Sequence, residues 1–225
     1  MFIVSDILSL LPASNAGVRP QLEIGRTIPP EVQEYLQENT QISGPTMIYI
    51  PRHCGCPFPE RDLHHLYAIL SHNLSAFESS RAQIFVLPHA RTSKACQDWF
   101  DLVFAAAAAK NDSELDSSRQ QRVKDFFHVV PDPAPRRTLA KALSFGTLDF
   151  SGLFSRKPLS DAWNLRKTGI KNRDTAAGSN RWLEHGAIWI SSEDEGSVVK
   201  WVEKPAYANT ECDWMKGWKQ VGLQI

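Results

Sequence analysis

Apolar residues follow two rhythms along this chain, and the rhythms alternate. Short apolar runs bounded by turn residues occur at Met47-Ile48-Tyr49-Ile50, at Ile84-Phe85-Val86-Leu87 before Pro88, and at His128-Val129-Val130 before Pro131-Asp132-Pro133. Each predicts a short buried strand. Behind the first run, Leu63, Leu66, Tyr67, Leu70, Leu74 and Phe77 recur at helical spacing and put one apolar face against a sheet. Behind the second, Ser93 is the expected N-cap of a helix carrying Trp99, Leu102, Val103 and the run Ala105 to Ala109. The polar stretch Asn111 to Gln120 reads as a solvated break. Behind the third run, Leu139, Ala142 and Leu143 predict a helix that stops near Gly146. Upstream, Pro29-Pro30 introduces a short helix over Glu31 to Glu38.

The rhythm fades between 147 and 184. A long irregular segment inside a compact domain is more often functional than idle. It returns at Ala187 to Ile190 and Val198 to Val202, which flank the hairpin turn signal Glu193-Asp194-Glu195-Gly196. A last helix is expected around Glu211 to Gln220. The order β-α-β-α-β-α, insertion, β-β-α describes an α/β fold with one mixed central sheet flanked by helices. Residues 45–225 form that domain, with 147–184 inserted, and 1–44 are an N-terminal extension packing on it. The loop after the first strand opens onto a helix N-terminus, where function is expected.

Composition narrows the picture. The 225 residues carry 25 Lys+Arg against 25 Asp+Glu, and 42% are hydrophobic, which excludes a disordered chain. Zero net charge removes the drive toward nucleic acid or anionic membranes, so neither is an expected partner. Neutrality hides one basic stretch: Arg156, Lys157, Arg166, Lys167, Lys171 and Arg173 face only Asp161. Met1 to Leu11 is apolar, but Asp6 interrupts it and no Lys or Arg precedes it, so a short helix packing on the domain or on a second subunit is expected rather than a secretory signal. Cytoplasmic residence and reduced thiols follow as expectations. Cys54, Cys56, Cys96 and Cys212 are spaced for neither a disulfide scaffold nor a zinc site. His64 and His65 are sequential and diverge on a helix, so no metal is expected.

The loop itself reads Arg52-His53-Cys54-Gly55-Cys56-Pro57-Phe58-Pro59. A thiol at a helix N-terminus has the dipole and free amides that favour thiolate. This stretch resembles the Arg-His-x-Gly-Cys-Pro-Phe motif in a subgroup of the thioredoxin-like superfamily, the peroxiredoxin-like proteins of the alkyl hydroperoxide reductase/thiol-specific antioxidant group. Gly169-Ile170-Lys171-Asn172-Arg173-Asp174-Thr175-Ala176-Ala177-Gly178-Ser179-Asn180-Arg181-Trp182 resembles a second stretch of the same subgroup, followed by the Gly186 strand and Gly196-Ser197-Val198-Val199-Lys200-Trp201. The resemblance spans roughly 45–220 and implies a thioredoxin-like fold. It also implies dimerisation, for which the apolar start and the last helix offer a face. The pattern departs from peroxiredoxins proper at His53, where they have Thr or Ser, and at Tyr49, where they have Pro. Pro59 stands where a thioredoxin-type dithiol needs its second Cys. Pro57 and Pro59 remove two backbone N–H groups from the helix start.

Three readings follow. In the first, a cofactor-free acid–base enzyme acts on a small aromatic, phenolic metabolite, as in chalcone-to-flavanone ring closure. His53 moves the proton, and Arg173 or Arg181 stabilises enolate or phenolate charge. Arg52, Phe58, Asn172, Thr175 and Glu184 complete the substrate contacts, with His185 as an adjunct; Trp163 and Trp182, of seven tryptophans, supply an aromatic wall. In the second, Cys56 is the nucleophile of a one-cysteine thiol peroxidase tuned by His53 or Arg52. In the third, the domain is a non-catalytic binding module. The unevenly broken redox signature puts the first ahead. Cys54 and Cys56 would close only a small strained disulfide ring, so Cys54 is expected to pack as an apolar residue. Cys96 and Cys212 read as structural.

Overall fold

The computed structural model describes residues 14–111, 117–132, 136–149, 156–170, 173–193 and 196–225. In chain order the elements are α1 (Pro30–Asn39), β1 (Thr46–Ile50), α2 (Pro57–His72), α3 (Leu74–Ser80), β2 (Gln83–Val86), α4 (Ser93–Asn111), α5 (Ser117–Lys124), β3 (Phe127–Val129), α6 (Thr138–Ala142), α7 (Arg156–Lys167), β4 (Gly186–Glu193), β5 (Gly196–Glu203) and α8 (Trp214–Gln220). The strands make one sheet in the order β3-β2-β1-β4-β5. β1, β2 and β3 run parallel, with Tyr49 opposite Val86 and Phe85 opposite His128. β4 is antiparallel to β1, setting Ile188 opposite Ile48, and β5 is antiparallel to β4. Parallel neighbours joined through helices, then an antiparallel hairpin on the other side of the first strand, make the mixed sheet expected from the order of elements and the thioredoxin-like arrangement that the resemblance implies.

Alternation along the strands divides the core. Met47, Tyr49, Ile84, Val86, Ala187 and Trp189 face α2, α4 and α8, packing on Leu66, Tyr67, Phe100, Val103 and Trp218. Ile48, Ile50, Phe85, Leu87, Ile188 and Val199 face the other way, onto Val32 and Leu36 of α1 and Leu139 and Ala142 of α6. Strands buried on both faces read as unbroken apolar runs, which is why these were legible. Trp189 lies so close to α8 that a Cβ on Gly217 would stand 2.2 Å from its ring. Only glycine lets this helix seat against the sheet.

Three local expectations need correction. Thr92, not Ser93, caps α4: its hydroxyl accepts from Ala95 N at 3.2 Å, and its carbonyl from Cys96 N at 3.3 Å. Both residues are capping types, and the spacing could not separate them. Residues 117–120, read as part of a solvated break, begin α5, whose Val123 is buried; its polarity masked a helix with a single core contact. The insertion is not irregular throughout, because α7 crosses it. Pro158 falls in its first turn, where a missing N–H costs nothing, and Ala162 and Leu165 supply the sparse apolar face. Met1 to Leu11 lies outside the described residues. Among the described residues, no helix is long and apolar enough to cross a membrane.

Candidate functional site

The loop Pro51–Cys56 leaves the carboxyl end of β1 and turns into α2. Cys56 is the N-cap residue, and its N–H is spent locally on His53 O at 3.2 Å. Pro57 and Pro59 offer no N–H, but Phe58 between them does, and that amide pulls the Cys56 thiol down. The two prolines therefore leave one amide at the helix start to act on the thiol. On the other side, Arg52 Nη1 lies 3.6 Å from Cys56 Sγ. Both residues are buried, at 4% and 3% exposure. Burial pushes the Cys56 thiol up, outweighing the Arg52 charge and the Phe58 amide that pull it down. Arg52 in turn is lowered by its own burial, held up by the sulfur, and lowered again by Arg181.

The insertion closes over this loop. Arg173 N donates to Gly55 O at 2.9 Å and Ala176 N to Cys54 O at 3.1 Å. Cys54 N donates to Ser179 Oγ at 3.0 Å, and Arg52 Nε to Arg181 O at 2.9 Å. The approach is tight: Gly55 has φ +116°, and a Cβ there would meet Asp174 O at 2.9 Å and Arg173 O at 3.0 Å. A residue with a side chain is excluded twice, by its own backbone and by this strap. Residues 173–181 thus form a lid fastened to the loop chiefly through backbone groups.

The sequence-derived residues divide into those drawn together and those left apart. Arg173 grips Glu60 of α2 with two bonds, Nε–Oε2 at 2.7 Å and Nη2–Oε1 at 2.8 Å, and Glu60 is 2% exposed. That fork holds the strap to the helix. Both of these guanidinium nitrogens are thus taken up by a buried carboxylate. Arg181 Nη2 donates to the Thr175 hydroxyl at 3.2 Å, with Thr175 itself buried. Phe58 is buried beside Cys56, Leu148 and Ala208, with Ala162 and Leu165 of α7 packed on that group. Trp163 points to solvent, 62% exposed, under the Arg166 guanidinium. It forms no wall here. Trp182 is half-buried, and its backbone fastens the strap: its carbonyl accepts from Leu148 N at 2.7 Å and its N–H donates to Asn180 Oδ1. Glu184 pairs with Lys204 at 2.7 Å and accepts from Gly146 N. Asn172 lies outside the described residues.

His53 is buried beside the loop, and its Nδ1 has no hydrogen-bond partner. Burial first, then Arg52 and Arg181, hold its pKa well below the usual histidine value, so it is neutral at physiological pH. His185 is fully buried at the start of β4. Its Nε2 bonds Thr210 O at 2.8 Å, its Nδ1 has no partner, and burial lowers its pKa to about 4. The Arg52 charge reaches it as well. All four cysteines are free. Cys54 packs in the main core and Cys56 in the small group around Phe58, so the two sulfurs face different surroundings.

One network escaped the sequence. Tyr49 OH donates to Asp62 Oδ2 at 3.0 Å, and Arg61 holds Asp62 Oδ1 through Nε at 3.1 Å and Nη2 at 2.7 Å. Arg61 also donates to Asn209 O at 2.7 Å and reaches Glu211, which His65 and Trp214 bind. The network ties the stretch before α8 to α2. Burial raises Asp62 to about 6 despite Arg61. The signal was present: Tyr49 replaces an expected Pro on an inward strand position, and Asp62 adjoins Leu63 on an apolar helix face.

No family model and no curated protein matches the chain. A solved structure of a peroxiredoxin-like protein from Aquifex aeolicus shares 14% identity, with a TM-score of 0.43, over 91% of this chain and 89% of that one. Likeness at that level carries no weight here, and the fold assignment rests on strand order and direction.

Proposed function

We propose that this chain is a thiol-dependent oxidoreductase in which Cys56 attacks a small hydroperoxide and an external thiol restores it. The observation that carries this reading is the Arg52 Nη1 contact at 3.6 Å on a thiol at the N-cap of α2. A guanidinium and a helix N-terminus stabilise the thiolate, and the same donors polarise a peroxide oxygen placed beside it. In the reaction the Cys56 thiolate displaces alkoxide from the distal oxygen and becomes a sulfenic acid, and the alkoxide takes a proton. One external thiol then forms a mixed disulfide with loss of water, and a second releases Cys56 as a thiol and leaves as the disulfide. Because burial holds the resting thiol up, the first step accelerates as pH rises toward the thiol's pKa.

The acid–base reading keeps one supporting observation, the neutral His53 with its unpartnered Nδ1. Arg173, one of its two candidate cations, is paired with Glu60. Paired assays of Cys56→Ser and His53→Ala separate the two. The thiol reading predicts that peroxide consumption with dithiothreitol disappears in Cys56→Ser and survives in His53→Ala. Peroxide consumption unchanged by Cys56→Ser overturns it. Ring closure of a phenolic substrate that persists in Cys56→Ser and vanishes in His53→Ala restores the acid–base reading.

A further inference from the structure

The redox reading of the loop uses one thiol of four, and two of the other three lie near each other. Cys54 and Cys96 are distant in sequence and adjacent in space. Cys54 Sγ lies 3.8 Å from His89 O, and Cys96 Sγ lies 3.6 Å from Pro88 O, so the two thiols address consecutive carbonyls of one short segment. Both residues are fully buried in the same apolar cluster, and each sulfur is the largest influence on the acidity of the other thiol. The backbone fixes which way Cys54 points. Its N–H is held by Ser179 Oγ and its carbonyl by Ala176 N, so the side chain is turned inward, toward α4 and away from the Cys56 group. Cys96 occupies the first turn of α4, where the helix dipole favours a thiolate.

The contact is asymmetric. Hydrogen bonding to Cys96 and burial hold the Cys54 thiol well above its ordinary value, while the hydrogen bond from Cys54 brings Cys96 below its own. Its place in the first turn of α4 makes Cys96 the thiol set to attack and Cys54 the one set to follow.

We propose that Cys54 and Cys96 are a redox couple that closes an internal disulfide, tying the β1–α2 loop to the start of α4, when the protein meets a hydroperoxide. The Cys96 thiolate attacks the distal oxygen, the alcohol leaves with a proton, and Cys96 becomes a sulfenic acid. The Cys54 sulfur then displaces hydroxide from it; the thiol proton and hydroxide depart as water. One hydroperoxide is reduced by two electrons, and two thiols become one disulfide. The link does not depend on the role proposed for Cys56, but it falls two residues away on the same loop. Closing it fixes the backbone from which Cys56 and Gly55 hang, and ties the redox state of the core to the geometry of the site.

The test uses the full chain, reduced, freed of reductant and exposed to hydrogen peroxide, with thiols counted after unfolding and linked peptides mapped by mass spectrometry. In Cys56→Ser the three remaining thiols fall to one, Cys212. In the unmodified protein a peptide containing Cys54 is joined to one containing Cys96, with a mass lower by two hydrogens. Mapping the unmodified protein keeps the test open if a variant fails to fold. Three thiols persisting in Cys56→Ser, or Cys54 joined to Cys56, overturns the proposal. Both sulfurs are fully buried, so dithiothreitol does not reopen the closed link and the couple reacts once per chain. Sustained peroxide consumption therefore reads Cys56 and the peptide map reads the link, and the failure of either proposal is visible without the other.

Discussion

The Cys54–Cys56 loop is held from two sides that are built on different terms. On the strap side the polar groups meet partners: Gly55 O takes Arg173 N, Cys54 O takes Ala176 N, and the Arg173 fork closes on buried Glu60. On the sulfur side the groups stand short of that. Arg52 gives one N–H to a carbonyl and one to a thiol, and His53 and His185 each bury an Nδ1 with no partner. Satisfied groups serve the fold, whereas buried unsatisfied ones cost stability that only another demand on the site explains. The contrast assigns the strap to architecture and the sulfur side to chemistry.

The largest effect that sharpens the contrast is on acid stability. His185 and His89 have folded pKa values of about 4 against an ordinary 6.5, and His53 lies well below 6.5. A depressed histidine supplies stability above its unfolded pKa and loses it as pH falls toward the folded value, here between 6.5 and about 4. His185 and His89 each contribute roughly 3 kcal/mol over that window, and His53 acts in the same direction. Asp62, raised to about 6 from 3.8, acts in the opposite direction: the stability of its protonated form returns as pH falls through 6. The histidines outnumber it, so the urea midpoint should drop steeply below pH 6.5. A midpoint flat down to pH 4 contradicts neutral burial of these rings.

Arg173→Met tests the strap. It leaves Glu60 buried without its cation, and breaking such a pair costs about 3 kcal/mol, visible as a lower Tm and faster alkylation of Cys56 beneath a loosened lid. An unchanged Tm removes the fork from the architecture. Gly55→Ala attacks the join between the two sides. It forces a side chain onto φ +116° and against Asp174 O, for about 2 kcal/mol, again read as Tm. Arg52→Gln should have the smallest effect and the most selective one. With the charge gone the Cys56 thiol rises further, and iodoacetamide labelling at pH 8 slows by about tenfold, roughly one pKa unit. Equal rates in both proteins would mean that Arg52 does not act on the sulfur.

The sheet and its connections were legible because β1, β2 and β4 are apolar on both faces, and α2 and α4 carry long periodic stripes. What was not legible depended on sparse signals. α7 shows Ala162 and Leu165 among charges, and α5 buries Val123 with little else, so neither stands out from a polar loop. In the site, Arg52, His53 and Cys56 are neighbours in one motif, whereas Arg181 belongs to a second and joins them only if the insertion folds over the loop, as it does here. Spacing could not show that Arg173 is taken by Glu60, since the two are 113 residues apart. Nor could it show that Trp163 turns outward. The Cys54–Cys96 contact was likewise hidden, because each cysteine looks like an isolated core residue until the loop and α4 are folded against each other.

The central claim is that Cys56 is the thiol that meets the substrate. Sulfenic acid trapping addresses it directly: the reduced protein is given hydrogen peroxide in excess of what both reactions consume, with a dimedone-type probe, and the modified residue is located by mass spectrometry. The account predicts a label on Cys56 that weakens in Arg52→Gln, with Cys54 and Cys96 recovered as the linked pair. A protein that consumes peroxide while Cys56 remains unlabelled, or labels equally without Arg52, contradicts it.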